Sequence, residues 1–442
     1  MDRPVELAWS NKDRLLLGIG ADGTPIWGGP ADLVPRRLST VMEVGRTGRP
    51  GGDNMLIQGD NLAALRALET GFAGKIACVC IDPPFNTGNA FQHYPDSLDD
   101  SLWLSMMKPR LEALRSLLRE DGLIVVHIDH RELAQLKLLM DEVFGKGNLI
   151  SIITLKVKDA AGVGQQSMVF DVCEYLLVYG RDISKFRPHH PVRKGELVPV
   201  DGFVKGYNKA IVDFGDPQLV DTVHRSRVGQ IRIYRCPGNK VRRFKKGDSL
   251  EDYLLNFDRV FADYNPSGGT IVKIKEHIPP LSLSFMEYTP SKGRHAGGMT
   301  RVYFLNRRTI SWLKDIAELD GSGRIMRKMK MTNIWDVSNA QLHSEGGIEF
   351  RLGKKPEALI ERIIGIATEP GDWVLDSFLG SGTTAAVAHK MGRHWIGIEI
   401  GTHAETHALP RLKRVVSGED RTGVSGGTRW KGGGGFLYRI LL

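Results

Sequence analysis

The sequence predicts an α/β protein built on a parallel sheet, and three stretches carry that prediction. The apolar run from Ile76 to Ile81 reads as a strand buried on both faces, and Asp82-Pro83-Pro84-Phe85 stops it abruptly. Far downstream, Asp372-Trp373-Val374-Leu375-Asp376-Ser377-Phe378-Leu379-Gly380-Ser381-Gly382-Thr383-Thr384 reads as an apolar strand, a glycine turn and the start of a helix reaching about Met391. A further strand, Trp395 to Ile400, places Glu399 at its tip, seventeen residues after Gly382.

In chain order, residues 1–50 mix Gly, Pro and Arg, and Asp22-Gly23 marks a hairpin; this is an N-terminal arm without chemistry of its own. Residues 54–68 form a short strand and a helix, with Asp60 at the junction where it can cap the helix. Residues 89–100 carry Phe91, His93, Tyr94 and several aspartates without periodicity, which predicts a loop over the site. Leu104, Met107, Leu111, Leu114 and Leu118 recur at helical spacing from Ser101 to Arg119. Asp121-Gly122 is expected to end that helix, and Leu123–Ile128 to be the next strand, bringing His127 and Asp129 near the site.

Residues 131–144 read as an amphipathic helix, and strands follow near 149–157 and 174–180. Between them Asp159 to Ser167 is small and polar, a loop expected near a nucleic acid. Lys355-Pro356 opens a helix over 357–367, proline suiting a first turn. Arg421–Gly435 is glycine-rich and precedes a last strand, Phe436–Leu441.

At 442 residues the chain exceeds one ordinary domain, so two domains, or one with a large insertion, are expected. No apolar run reaches the roughly 18 residues that cross a bilayer, and Met1-Asp2-Arg3-Pro4 does not open a signal peptide, so a cytoplasmic protein without a membrane partner is expected. The cysteines at 78, 80, 173 and 236 include no Cys-x-x-Cys pair, which argues against disulfides and a metal site. Cys236 precedes its proline, Pro237, and Cys78 and Cys80 lie inside a strand, so none of the three reads as a nucleophile. Charge is unevenly spread: residues 185–330 hold 28 Lys and Arg against 15 Asp and Glu, while the whole chain carries only +9. The excess sits in one third of the chain, as in a DNA-contacting insertion beside a near-neutral domain.

A carboxylate at the carboxyl end of a parallel strand lies where open α/β sheets build their sites. Asp-Pro-Pro also serves as an ordinary strand-ending turn, so the second motif is needed to give it meaning. Asp82 and the Pro83 carbonyl can accept both hydrogens of an exocyclic amino group while Phe85 stacks on the base. Strand, glycine turn, helix and acidic strand end together describe a nucleoside site in which Glu399 takes ribose hydroxyls. Thr383-Thr384-Ala385-Ala386 lacks the third glycine of a dinucleotide fingerprint, so an adenosine-type cofactor without a pyrophosphate fits better than NAD.

The pair of motifs, in this order, resembles the beta class of amino-group DNA methyltransferases, and within it the modification subunits of type III restriction systems and their stand-alone relatives. Leu56–Leu62, Asn86-Thr87-Gly88, Val126–Asp129, Glu174–Tyr179, Lys355-Pro356-Glu357 and Gly433–Tyr438 carry the resemblance over roughly residues 50–180 and 333 to the end. It implies a circularly permuted, Rossmann-like S-adenosylmethionine-dependent methyltransferase sheet with an inserted target-recognition domain. The parts are an N-terminal arm (1–50), a catalytic half (51–184), a DNA target-recognition insertion (185–332) and a cofactor-binding half (333–442).

It further implies Asp82, Pro83, Pro84 and Phe85 as catalytic residues, and Asp60, Lys355, Pro356, Asp376, Phe378, Gly380, Gly382, Thr383 and Glu399 as the residues holding S-adenosylmethionine. The implied reaction is methylation of adenine N6 in flipped-out double-stranded DNA, because cytosine-N4 enzymes of the class mostly carry Ser at the position of Asp82. Cytosine-N4 transfer, a non-catalytic DNA-binding subunit and an RNA methyltransferase are the alternatives. Phe85 departs from the commoner Tyr, keeping the stacking face and losing a hydroxyl. A homodimer and a restriction subunit are the protein partners the resemblance allows.

Overall fold

The computed structural model describes residues 7–19, 24–32, 36–48, 52–86, 99–158, 169, 171–186, 197–225, 229–266, 269–290, 297–328, 331–337, 342, 344–350 and 353–442. Of the loop expected at 89–100, residues 89–98 lie outside them, as does the polar stretch 159–167, while Asp99 and Asp100 open a helix. The chain divides into two units, one of residues 1–193 with 332–442, the other of residues 194–331.

The first unit is organised by a ten-stranded sheet. In chain order its strands are β1 (Leu38–Gly45), β2 (Asn54–Gln58), β3 (Ile76–Ile81), β4 (Leu118–Ile128), β5 (Leu149–Lys156), β6 (Cys173–Gly180), β7 (Ile334–Asp336), β8 (Trp373–Asp376), β9 (His394–Glu399) and β10 (Gly435–Leu441). Their spatial order is β7-β5-β6-β4-β3-β8-β9-β2-β10-β1. The run from β4 to β10 is parallel. β5 and β6 pair antiparallel with each other, and β6 runs antiparallel to β4.

Every residue of β3 and of β8 is buried, the signature of strands covered on both faces. These two strands, nearly 300 residues apart in sequence, lie side by side with Leu375 opposite Val79. From β3 the chain passes to β4 on one side, and from β8 to β9 on the other. Strand order therefore reverses between them, and the carboxyl ends flanking such a reversal form a crevice.

The helices of this unit are α1 (Asn61–Phe72), α2 (Asp100–Leu117), α3 (Leu133–Met140), α4 (Glu357–Ala367), α5 (Thr383–Lys390) and α6 (Leu409–Ser417). α2 turns Leu104, Met107, Leu111 and Leu114 into the core, and Asp99 caps it by accepting the Ser101 N–H. Asp121-Gly122 does not end the helix. α2 stops at Leu117, β4 begins at Leu118, and the pair forms a bulge where the register against β3 shifts. Glycine is required there because a Cβ on Gly122 would stand 2.9 Å from the Ile76 carbonyl oxygen. α3 is shorter than the expected 131–144 helix, its periodicity continuing through a π turn at Asp141–Gly145.

The strands flanking Asp22-Gly23, Leu15–Ile19 and Pro25–Gly28, pair antiparallel, while the tip itself lies outside the described residues. β1, within the stretch read as an arm, is the edge strand beside β10.

The second unit holds an eight-stranded antiparallel sheet and a three-stranded one. Alternation in Gly229–Arg235 is plain: Ile231 and Ile233 are buried while Arg232 is exposed. Tyr234 stacks on Phe285 with ring centres 4.7 Å apart. Arg242, Arg243, Lys245 and Lys246 lie exposed around a buried Phe244. Among the described residues no helix is long and apolar enough to cross a membrane, and no His/Cys/Asp/Glu group could hold a metal ion.

Candidate active site

A cavity opens where β3 and β8 end, and residues from both strands line it. Asp82, Pro83, Pro84 and Phe85 contribute from one side, and Asp376, Phe378, Gly380, Thr383 and Glu399 from the other. The two sequence motifs therefore share one cleft. Asp60, Pro356 and Gly382, expected among the cofactor residues, lie outside its lining.

Asp60 caps α1, accepting the Ala63 N–H at 3.0 Å, and pairs with Arg110 at 3.0 Å. Pro356 is the residue just before α4 rather than within its first turn. Gly382 has φ 82° at the head of α5, where a Cβ would meet Ala408 at 3.3 Å, so it closes the turn against the protein behind.

The glycine turn is held from two directions. Gly380, at φ 53°, donates its N–H to Glu399 Oε2 at 2.7 Å, which ties the turn to the acidic tip of β9. Thr383 Oγ1 accepts from Arg411 Nη1 at 2.7 Å. Asp376 is buried under the turn and accepts the Phe378 N–H at 2.9 Å; burial pushes its carboxyl up to about 7, against these hydrogen bonds. Phe350 and His403, neither expected from the sequence, also line this end, with ring centres 5.2 Å apart.

On the other side stand two carboxylates and two basic groups. Lys355, expected among the cofactor residues, lies 3.3 Å from Asp82 Oδ2 and 3.5 Å from Glu174 Oε2, and its ammonium sits 4.7 Å from the centre of the Phe85 ring. His127 Nε2 is 2.6 Å from Glu174 Oε2, and its Nδ1 is 3.8 Å from Asp82 Oδ1.

Burial raises the Asp82 carboxyl, opposed by Lys355 and His127. Burial acts on Glu174 as well, but the His127 contact and Lys355 outweigh it and hold that carboxyl at about 2. Lys355, despite its own burial, is kept above the ordinary lysine value by the two acids. Asp82 Oδ1 is buried and has no hydrogen-bond partner among the described residues. An unmet buried carboxylate oxygen is costly, so its presence in a lined cavity marks where a donor belongs.

The loop bearing Asp82 is rigid for visible reasons. Two prolines limit its backbone, Trp103 Nε1 donates to the Pro84 carbonyl at 2.8 Å, and Asn86 Nδ2 donates to Glu132 at 2.7 Å. Glu174 had a faint sequence signal as an acidic residue in an otherwise apolar strand, and Trp103 shares the helical spacing of Met107, Leu111 and Leu114. Asp129, expected near the site with His127, turns aside to Arg131 at 2.5 Å. The four cysteines are free, and burial pushes the Cys78 thiol up to about 12, far from a nucleophile's range.

The family model described as DNA methylase matches residues 76–409. The probable type III restriction-modification enzyme HindVI Mod subunit of Haemophilus influenzae is 35% identical over 412 residues, covering 88% of this chain and 54% of that protein. The type II methyltransferase M.KpnI of Klebsiella pneumoniae is 29% identical over 359 residues, 75% of each chain. Among solved structures, the PvuII DNA methyltransferase (cytosine-N4-specific) matches with 15% identity and a TM-score of 0.41, over 85% of this chain and 90% of that one. The chain spans about half the length of the type III relatives it matches. With three quarters of its length matched by one family model, and both motifs of that family's chemistry meeting in one cleft, the chain belongs to the DNA methylase family.

Proposed function

We propose that this chain transfers a methyl group from S-adenosylmethionine to the N6 amino group of an adenine flipped out of duplex DNA. The observation that carries this reading is one cavity lined by Asp82, whose Oδ1 is buried and unpartnered, together with the glycine turn and Glu399. When bound, S-adenosylmethionine supplies an electrophilic methyl carbon on a sulfonium. Glu399 is suited to its ribose hydroxyls, with Phe378, Gly380 and Thr383 shaping the pocket. Gly380 fits this role because its positive φ brings backbone to the cavity wall.

Asp82 and the Pro83 carbonyl would take the two amino hydrogens, which points the nitrogen lone pair across the cleft, while Phe85 stacks on the base. Lys355 beside Asp82 favours the ionised carboxylate that this role needs. The protein's contribution is alignment and removal of water. Adenine is preferred over cytosine on the Asp at position 82, and residues 194–331 would grip the duplex, their exposed arginines and lysines meeting phosphates. The type III relatives are named as Mod subunits, which supports a restriction subunit as partner; co-purification from a co-expressing host tests it.

The deciding experiment incubates the protein with labelled S-adenosylmethionine and DNA from a methylation-deficient host, then identifies the modified base. N6-methyladenine in DNA is the expected product, absent with Asp82→Ala although that variant still binds cofactor by calorimetry. An active Asp82→Ala protein overturns the assigned role. N4-methylcytosine, or methyl groups in RNA alone, would replace the substrate.

A further inference from the structure

Amino-group methylation leaves one proton too many. As the amino nitrogen gains the methyl carbon and the carbon–sulfur electron pair stays with sulfur, one N–H proton has to depart. On the reading above Asp82 receives it and must be reset before another turnover, and its Oδ1 is buried. His127 stands behind it. Its ring is 5% exposed, tilted against Phe85 with centres 5.6 Å apart, and bridges the two acids with one nitrogen toward each.

Resting on the methyltransferase reading above, we propose that His127 is the second station of that proton, taking it from Asp82, and that Glu174 is the positioning residue that holds the ring for this task. Nε2 stands 2.6 Å from Glu174 Oε2 without the alignment of a hydrogen bond, and the relay requires the ring's proton on that nitrogen. Nδ1 is then the lone-pair nitrogen, 3.8 Å from Asp82 Oδ1. The charges agree: Asp82 and Glu174 against Lys355 leave the cluster one negative charge in excess, and a proton on His127 makes it neutral. Lys355 cannot substitute, since both acids keep it protonated. The proton thus moves from nitrogen to Asp82 Oδ1 and on to His127 Nδ1, whose Nε2–H stays with Glu174. The imidazolium releases it when the products leave. Besides Lys355, the ionisable groups on neighbouring strands around this pair are Cys80 and Asp376.

The test uses single-turnover methylation of DNA from a methylation-deficient host across a range of pH, with cofactor binding by calorimetry. His127→Gln preserves a donor toward Glu174 and cannot accept the proton, so the transfer rate should fall about 100-fold while cofactor affinity stays within about twofold. Glu174→Gln keeps the shape of the side chain and removes the charge beside Nε2, so the transfer rate should fall about tenfold and the shape of its pH profile should change while cofactor affinity holds. A His127→Gln enzyme with the wild-type rate overturns the proposal, as does a Glu174→Gln enzyme with the wild-type pH profile, which decides the matter even if His127→Gln fails to fold. A wild-type protein that methylates nothing sinks the parent reading instead, so the two failures are distinct.

Discussion

Two ionic clusters of the same composition, two acids and two bases each, lie in the methylase unit and differ in one respect. Behind the glycine turn, Glu357, Asp420, Lys390 and Arg411 are wholly buried. Glu357 takes hydrogen bonds on both oxygens, from Lys390 and Arg411 on Oε1 and from Lys390 and the Val424 N–H on Oε2, while Asp420 accepts from Thr422 on Oδ1 and sets Oδ2 2.8 Å from the Lys390 ammonium. In front, Asp82, Lys355 and His127 border the cavity with Glu174 behind them, and Asp82 Oδ1 is left without a hydrogen bond. A cluster whose acids meet only its own cations and neighbouring backbone, away from any opening, can only hold the fold, whereas one set in a cavity wall can turn its charges toward a ligand.

That contrast is most easily broken by Glu357→Gln. The substitution strands Lys390 and Arg411 without their shared anion in a dry interior, so stability should drop by about 3–5 kcal/mol in urea unfolding. A loss near zero would show that the rear cluster is replaceable.

Its pH dependence offers a second way to sharpen the comparison, because two carboxyls of the front region pull in opposite directions. Asp376, raised from 3.8 to about 7, keeps a proton in the folded chain that the unfolded chain has released, so its contribution to stability falls as pH rises through about 4 to 7. Glu174, lowered from 4.5 to about 2, stabilises the fold above about pH 4.5, and that contribution is lost as pH falls toward 2. Asp376→Asn should therefore gain on the wild type between pH 5 and 8. Unfolding curves of both proteins across that range that stay parallel would contradict the assignment.

The smallest expected effect is at the rim of the open cluster. Trp103→Phe removes the hydrogen bond to the Pro84 carbonyl and part of a buried ring, costing about 1–2 kcal/mol. Loosening the loop under Asp82 should lower the methyl-transfer rate several-fold while the KM for cofactor holds. Equal changes in both would point to a general structural loss.

Much of the site is visible in the chain because its signals are local. A strand buried on both faces is a continuous apolar run, two prolines must end it, and a glycine pair after a second such run needs backbone angles other residues avoid. Ile76–Ile81, Asp82–Phe85 and Asp376–Gly382 are read that way. The bulge at Asp121-Gly122 is not, because the dipeptide that ends a helix elsewhere here relieves a clash with Ile76, a residue on another strand. The same limit explains Asp60 and Lys355. A cap and a ligand look alike in sequence, and whether a lysine faces a cofactor or a carboxylate depends on the strands brought next to it.

What the sequence by itself determined is the set of parts: which strands are buried, where a carboxylate ends one, and where glycine bends another, since each follows from periodicity and backbone stereochemistry within about ten residues. Only the tertiary structure decided which groups meet. His127, Glu174 and Lys355 come from three separate elements, and their common focus on Asp82 exists because the order of strands places β6, β4 and β3 side by side. Coulomb energies and burial depend on distances through space, and no spacing along the chain encodes them.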